Sequence, residues 1–172
     1  MSAHPLSVVL IMGVTSSGKS TVGEGLAERL GWVFRDADSF HPPENVAKMS
    51  SGQPLNDDDR KPWLQAIAHF IDEAGARNNP AVVTCSALKR AYREVIVGSR
   101  QHVALVHLVG DKQLIAARMA ARKNHFMPTS LLDSQFATLE APQDDEKPFR
   151  VAIDQQPAVM IQTIVDGLKL AR

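Results

Sequence analysis

Gly13-Val14-Thr15-Ser16-Ser17-Gly18-Lys19-Ser20 follows the apolar run Ser7-Val8-Val9-Leu10-Ile11-Met12. Together they read as a buried strand that delivers a GxxxxGK(S/T) loop to the start of a helix. Each part has a physical job on a polyphosphate. Gly13 and Gly18 let the backbone turn tightly, so that the amides of Gly13, Val14, Thr15, Ser16, Ser17 and Gly18 can face phosphate oxygens. Lys19 can reach the β- and γ-phosphates, Ser20 offers a hydroxyl to Mg²⁺, and Thr21 follows it in the helix. The helix N-terminus adds a favourable partial charge. The pattern predicts binding of a nucleoside triphosphate and leaves open where the γ-phosphate goes.

Working outward, strand and helix patterns alternate. Lys19–Leu30 reads as a helix stopped by Gly31, and 32–36 as a short strand ending in acid. Pro43–Ser50 reads as a short helix after the His41-Pro42-Pro43 breaker. A longer helix starts within Asp57-Asp58-Asp59, with Pro62 in its first turn, and runs to about Arg77. Strands are expected at 81–85, 102–109 and 150–153, and helices at 89–97, 112–122, 129–140 (Thr129 its cap) and 157–170. This order predicts a three-layer α/β/α fold on a five-stranded parallel sheet. Ligands of such sheets bind at the carboxyl ends of the strands. The rule brings the loop, Asp36, Asp38, the turn after Cys85 and the Gly110-Asp111 turn to one edge.

The chain has 172 residues, 44% of them hydrophobic and 22% charged, with 19 basic and 19 acidic residues. These are the proportions of one ordinary globular domain, and the balanced charge argues against a nucleic-acid surface. The single cysteine, Cys85, permits no internal disulfide and reads as a small buried residue. The first residues lack the build of a signal peptide, and no apolar run approaches the roughly 20 residues that cross a bilayer. A cytoplasmic location, with no membrane partner, is the expectation.

Beyond the loop, Asp36 is placed to hold the Mg²⁺ hydration shell and Asp38 to accept a proton from an attacking hydroxyl. Turn and capping duty is the competing reading of both. Arg118 and Arg122 share a helix face, where like charges repel; convergence on a transferring phosphoryl group would explain them, as would a solvated basic face. The irregular stretch 123–128 that follows reads as a cover over the site. Asp57-Asp58-Asp59 suits a helix start electrostatically, while Arg60 could fork onto a carboxylate. His41 and Lys89 divide between turn or surface duty and the same polar pocket. The chain carries no Asn-Lys-x-Asp guanine-reading element, and the 81–85 strand ends in Cys-Ser where a motor ATPase would want a Mg²⁺-binding acid. A kinase for a small molecule fits best. A kinase for another hydroxylated acid such as shikimate, and a nucleotide-binding module without turnover, are the alternatives.

Three blocks then resemble one family. His41-Pro42, Lys48-Met49 and the run Gly52-Gln53-Pro54-Leu55-Asn56-Asp57-Asp58-Asp59-Arg60-Lys61-Pro62-Trp63-Leu64 are similar to the signature stretch of gluconokinases. Cys85-Ser86-Ala87-Leu88-Lys89-Arg90 with Tyr92-Arg93 is similar to the family's next block. His125-Phe126-Met127, Leu131-Leu132, Ser134-Gln135-Phe136 and Leu139-Glu140-Ala141-Pro142 are similar to the one after. The resemblance implies a nucleoside-monophosphate-kinase-like P-loop fold over 1–172, a substrate-binding helical region at about 40–78 and a lid at about 118–140. It implies ATP-dependent phosphorylation of D-gluconate at the 6-hydroxyl with Mg²⁺, in gluconate catabolism feeding the pentose phosphate and Entner–Doudoroff pathways. A homodimer is also implied. On matching positions, Lys19, Asp38, Arg118 and Arg122 would carry the chemistry. Asp38, His41, Arg60, Lys89 and Gln135 would line the gluconate site. Ser20, and Asp36 through water, would serve Mg²⁺, and Gln156-Pro157 would lie against the adenine. The chain departs from the family in two places. Ser16 stands where the family usually has glycine, which serine tolerates if φ stays negative. Pro157 also comes one residue late.

Overall fold

The structure is a computed structural model describing residues 6–121 and 129–170, with backbone alone at 129–131. Strand β1, Val8–Met12, is fully buried at every position. It lies at the centre of a five-stranded sheet of order β2-β3-β1-β4-β5, whose other members are β2 (Val33–Asp36), β3 (Ala81–Thr84), β4 (Val103–Val109) and β5 (Phe149–Ala152). All four pairings are parallel, with Val8 opposite Ala81 on one side and Val103 on the other. A strand buried on both faces reads as a continuous apolar run, as this one does.

Side-chain alternation along β1 divides the core. Val9 and Ile11 face a cluster with residues of α1 (Lys19–Leu30), α5 (Lys112–Ala121), α6 (Thr129–Thr138) and α7 (Pro157–Gly167). Val8, Leu10 and Met12 face a second cluster built largely from α3 (Asp57–Ala76) and α4 (Arg90–Ile96). The remaining helix, α2 (Pro43–Ser50), lies between β2 and α3 in the chain. This is the three-layer α/β/α arrangement that the alternating pattern predicts.

Differences from the expected boundaries have local causes. Strand β2 begins at Val33 because Trp32 N–H still bonds back to Ala27 of α1, at 2.9 Å. Helix α3 starts at Asp57 behind a reciprocal capping box between Asn56 and Asp59, which puts Pro62 at its sixth position, past the first turn. Helix α6 ends at Thr138 because Glu140 N–H turns away to the Leu88 carbonyl at 2.8 Å. Thr129, expected as its cap, is a helical residue. Helix α7 stops at Gly167, followed by Lys169 at φ 54. Two short 3-10 turns, Ala37–Phe40 and Asp144–Glu146, escape the sequence pattern because one turn has no periodicity to read.

Arg93 of α4 is buried, with its side chain 1% exposed. Its guanidinium donates to the carbonyls of Ala87, Leu88 and Glu140 at 2.7–3.2 Å and to both carboxylate oxygens of Glu146, at 2.7 and 3.2 Å. It thereby ties the turn after β3 to the segment that leads into β5. Arg93→Ala strands three carbonyls and a mostly buried carboxylate. The expected loss is about 3–5 kcal/mol of unfolding free energy, read by urea denaturation. A loss below about 1 kcal/mol would show that water substitutes for the guanidinium.

Candidate active site

The loop from β1 to α1 is shaped by two different demands on glycine. Gly18 caps α1 at φ 99, a left-handed conformation that costs glycine nothing. Gly13 answers a spatial demand: a Cβ there would lie 2.7 Å from Ser17 Oγ and 3.2 Å from the Leu108 carbonyl. The negative φ under which serine would be tolerated is not what the loop adopts, since Ser16 sits at φ 61. That is the region where a side chain costs about 1–2 kcal/mol, which explains the family's usual glycine there. The loop holds its shape through the remaining amides and the Ser17 N–H to Val14 carbonyl bond of 3.3 Å.

Lys19 folds back over the loop it follows, donating to the carbonyls of Gly13 at 2.9 Å and Val14 at 3.0 Å. Burial lowers its pKa, with Cys85, Asp36 and Asp38 pulling the other way. Thr15 N–H donates to Gln135 Oε1 at 2.5 Å. A carboxamide oxygen of α6 thus occupies a loop amide of the kind that cradles phosphate. Gln135, expected among acceptor residues, stands here on the donor loop. Ser20 and Thr21 are exposed at the first turn of α1, and Val14 is buried. Arg118 donates to the Ile153 carbonyl beyond β5, close in sequence to Gln156 and Pro157, which open α7. Arg122 lies outside the described residues, as does the whole of the 123–128 stretch read as a cover.

The acid side begins where β2 ends. Asp36 accepts from Asp38 N–H at 2.9 Å and so caps the 3-10 turn Ala37–Phe40. Among the described residues this capping bond engages one carboxylate oxygen of Asp36. Asp38 projects into solvent at the mouth of the site. Partial loss of bulk water there raises its pKa, and the Asp36 carboxylate adds to the shift against His41 and Lys19.

His41 is held more firmly than a turn residue needs to be. Its ring stacks on Trp63 at 4.5 Å between centroids and 11° between planes. Trp63, on α3, donates its indole N–H to the Ala37 carbonyl at 2.7 Å and so pins the 3-10 turn to the helix. Asn45 of α2 stands 3.2 Å from His41 Nδ1 and donates to the Asp59 carbonyl at 2.8 Å. Burial is the main cause that lowers the His41 pKa, and the Arg60 charge assists against Asp38.

Facing this wall is a mixed-charge rim. Asp57 accepts from Tyr92 Oη at 2.9 Å, with Arg60 at 3.5 Å and Lys89 at 3.7 Å. The cations of Arg60 and Lys89 lie 5.7 and 5.6 Å from the Tyr92 ring centre. Asp59 is spent on the capping box and on Lys48 at 2.6 Å, so among the three acids the structural reading explains it. Asp58 points outward to Lys61 at 3.4 Å. Cys85 is buried with its thiol pushed up to about 12, mainly by burial, and is inert as expected. Trp63 and Tyr92 lie within the family-like blocks without a role read for them, and Asn45 lies outside those blocks. For Asn45 the available signal was its i, i+4 spacing from His41.

Several known proteins are similar to this chain. A family model described as "AAA domain" matches residues 8–142. The gluconokinase of Gluconobacter oxydans is 47% identical over 157 residues, 91% of this chain and 88% of that protein. The crystal structure of a gluconokinase from Sinorhizobium meliloti superimposes with a TM-score of 0.83 at 44% identity, covering 98% of this chain and 94% of that one. A shikimate kinase from Bacteroides thetaiotaomicron superimposes at 0.69 with 17% identity, over 95% and 98% of the two chains, a likeness of fold alone.

The conformation of Ser16 yields a direct test. Ser16→Gly relieves strain of about 1–2 kcal/mol and gives part of it back through a freer unfolded chain, so its melting temperature should equal or exceed that of the parent. Ser16→Val should lose about 1–3 kcal/mol and bind ATP more weakly by calorimetric titration. A valine variant as stable as the parent would show that this residue is not left-handed in solution.

Proposed function

The chain belongs to the gluconokinase family, and from that premise we propose that it transfers the γ-phosphate of ATP to the 6-hydroxyl of D-gluconate, giving 6-phosphogluconate. One observation carries the reading furthest. The loop that carries Lys19 leaves the carboxyl end of β1 and Asp38 follows the carboxyl end of β2 in the same parallel sheet, so the donor lysine and the acid lie along one edge. A phosphate donor and an attacking hydroxyl would meet between them.

In this reading Gly13 to Thr21 bind the triphosphate, and Lys19 leaves the Gly13 and Val14 carbonyls to bind phosphate oxygens. Gln135 is displaced from Thr15 as phosphate arrives and becomes available to the acceptor. Asp38 receives the acceptor hydroxyl; its raised pKa makes it a somewhat better base, although phosphoryl transfer demands orientation more than proton abstraction. Arg60 and Lys89 take the gluconate carboxylate, exchanging Asp57 for the substrate anion. Arg118 and Arg122 stabilise the transferring group, and Gln156 and Pro157 pack on the base. A lid at about 118–140 and an acceptor-binding region at about 40–78 belong to the same proposal.

Mg²⁺ fits the residues present. The Ser20 hydroxyl and the free oxygen of Asp36 are hard donors, and two such groups suit an ion that keeps its water and phosphate ligands. Among the described residues no cluster of three acidic, histidine or cysteine side chains offers a protein-only cage. When bound, the ion would neutralise charge on the phosphates. No helix among the described residues is long and apolar enough to cross a membrane. We extend the reading to a cytoplasmic homodimer: a lone buried thiol suits a reducing compartment, and dimers are usual in the resembled family.

The decisive assay is ADP release with gluconate, shikimate, other sugar acids or no acceptor. Release with gluconate alone supports the proposal; nucleotide binding without acceptor-dependent release would refute it. Lys19→Ala should abolish turnover. Asp38→Asn should depress kcat more than gluconate binding, and a near-normal kcat would remove Asp38 from the chemistry. Arg60→Ala should raise the gluconate KM, about tenfold for one lost charge-assisted contact, with kcat much less affected.

A further inference from the structure

Asn45 is 3% exposed, a buried amide on a short helix that has no need of one. Its orientation follows from its neighbours. The Asp59 main-chain carbonyl, 2.8 Å away, can only accept, so the amide group facing it is the NH₂. The same NH₂ lies 3.2 Å from His41 Nδ1. Nδ1 must then accept, and a neutral ring carries its proton on Nε2.

The other side of the ring shows what that proton faces. His41 Nε2 is 4.0 Å from Asp38 Oδ1, beyond hydrogen-bond range but with room for one oxygen to touch both. The ring cannot swing to a compromise, because Trp63 stacks against its face and its side chain is only 6% exposed.

We propose that Asn45 is a positioning residue. By donating one amide hydrogen to the Asp59 carbonyl and the other to His41 Nδ1, it holds His41 as the Nε2–H tautomer. The acceptor hydroxyl is thereby received between that N–H and the Asp38 carboxylate. The hydroxyl accepts from His41 and donates to Asp38, so its remaining lone pair is aimed by two partners of opposite polarity. A ring in the other tautomer would present a second acceptor beside Asp38 and leave the hydroxyl one proton short. This inference rests on the proposed site for the acceptor, while the tautomer itself does not.

The test reads the ring directly. Nitrogen-15 NMR at mildly alkaline pH, with the His41 signals assigned by their loss in His41→Gln, should show a protonated Nε2 and a bare Nδ1 in the ligand-free protein. Asn45→Ala should yield mixed tautomers, and Asn45→Asp should move the proton to Nδ1, since a carboxylate can only accept. Both should raise the gluconate KM at least several-fold while the ATP KM stays within twofold. A parent protein protonated on Nδ1 would overturn the proposal. So would an Asn45→Ala variant that keeps both the tautomer and the gluconate KM, and that variant decides the matter even if Asn45→Asp fails to fold. A ring held as Nε2–H by Asn45 in a protein without gluconate-dependent ADP release would instead overturn the functional reading and leave the tautomer standing.

Discussion

Every element of the site hangs from a strand that has no exposed face. β1 is covered above and below and paired on both edges, so its chain can leave the sheet only at its carboxyl end. There the backbone amides that the sheet no longer satisfies turn inward within the loop, and a helix N-terminus follows immediately. Because β2, β3, β4 and β5 all run parallel to it, their ends emerge along the same edge. Asp36, Cys85 and Ile153 are therefore neighbours of one loop although more than a hundred residues of chain separate the outermost two.

The two halves of the site are held by different means. On the donor side the loop is shaped by main-chain groups, and the side chains of Lys19 and Gln135 bond to it. The acid side depends on a neutral framework. Trp63 braces the Ala37 carbonyl and the His41 ring together, and Asn45 joins that ring to the backbone of α3. Charges stay at the rim, where Asp38, Asp57, Arg60 and Lys89 remain partly solvated and no buried, unpaired ion has to be tolerated. A polar substrate arriving there exchanges water and weak ion pairs for charged partners, while the neutral framework behind them stays fixed.

Much of this was legible in advance, for identifiable reasons. Apolar runs for the strands and stripes such as Val22, Leu26 and Leu30 for the helices report burial, and burial is what the layers are made of. Asp36 and Asp38 could be placed because a strand end followed by acid is a local pattern. What escaped was non-local or conformational. Ser16 reads as tolerable only at negative φ, yet the loop path between Val14 and Gly18 holds it at φ 61. The bond from Thr15 to Gln135 depends on the approach of α6 to the loop, which no spacing along the chain reports. Asp59 looked like part of an acidic cluster, and the capping box with Asn56 shows why it stands there.

By itself, then, the sequence determined the order of elements, the phosphate loop and the family, because each is written in contiguous residues whose spacing carries the physics. The tertiary structure alone decided which side chains come together and how their hydrogen bonds run. His41 illustrates the difference. Its position in a His-Pro-Pro turn is local, but the nitrogen that bears its proton is set by an amide on α2 and a carbonyl on α3. Hydrogen-bond direction depends on three-dimensional approach, and no spacing along a chain encodes it.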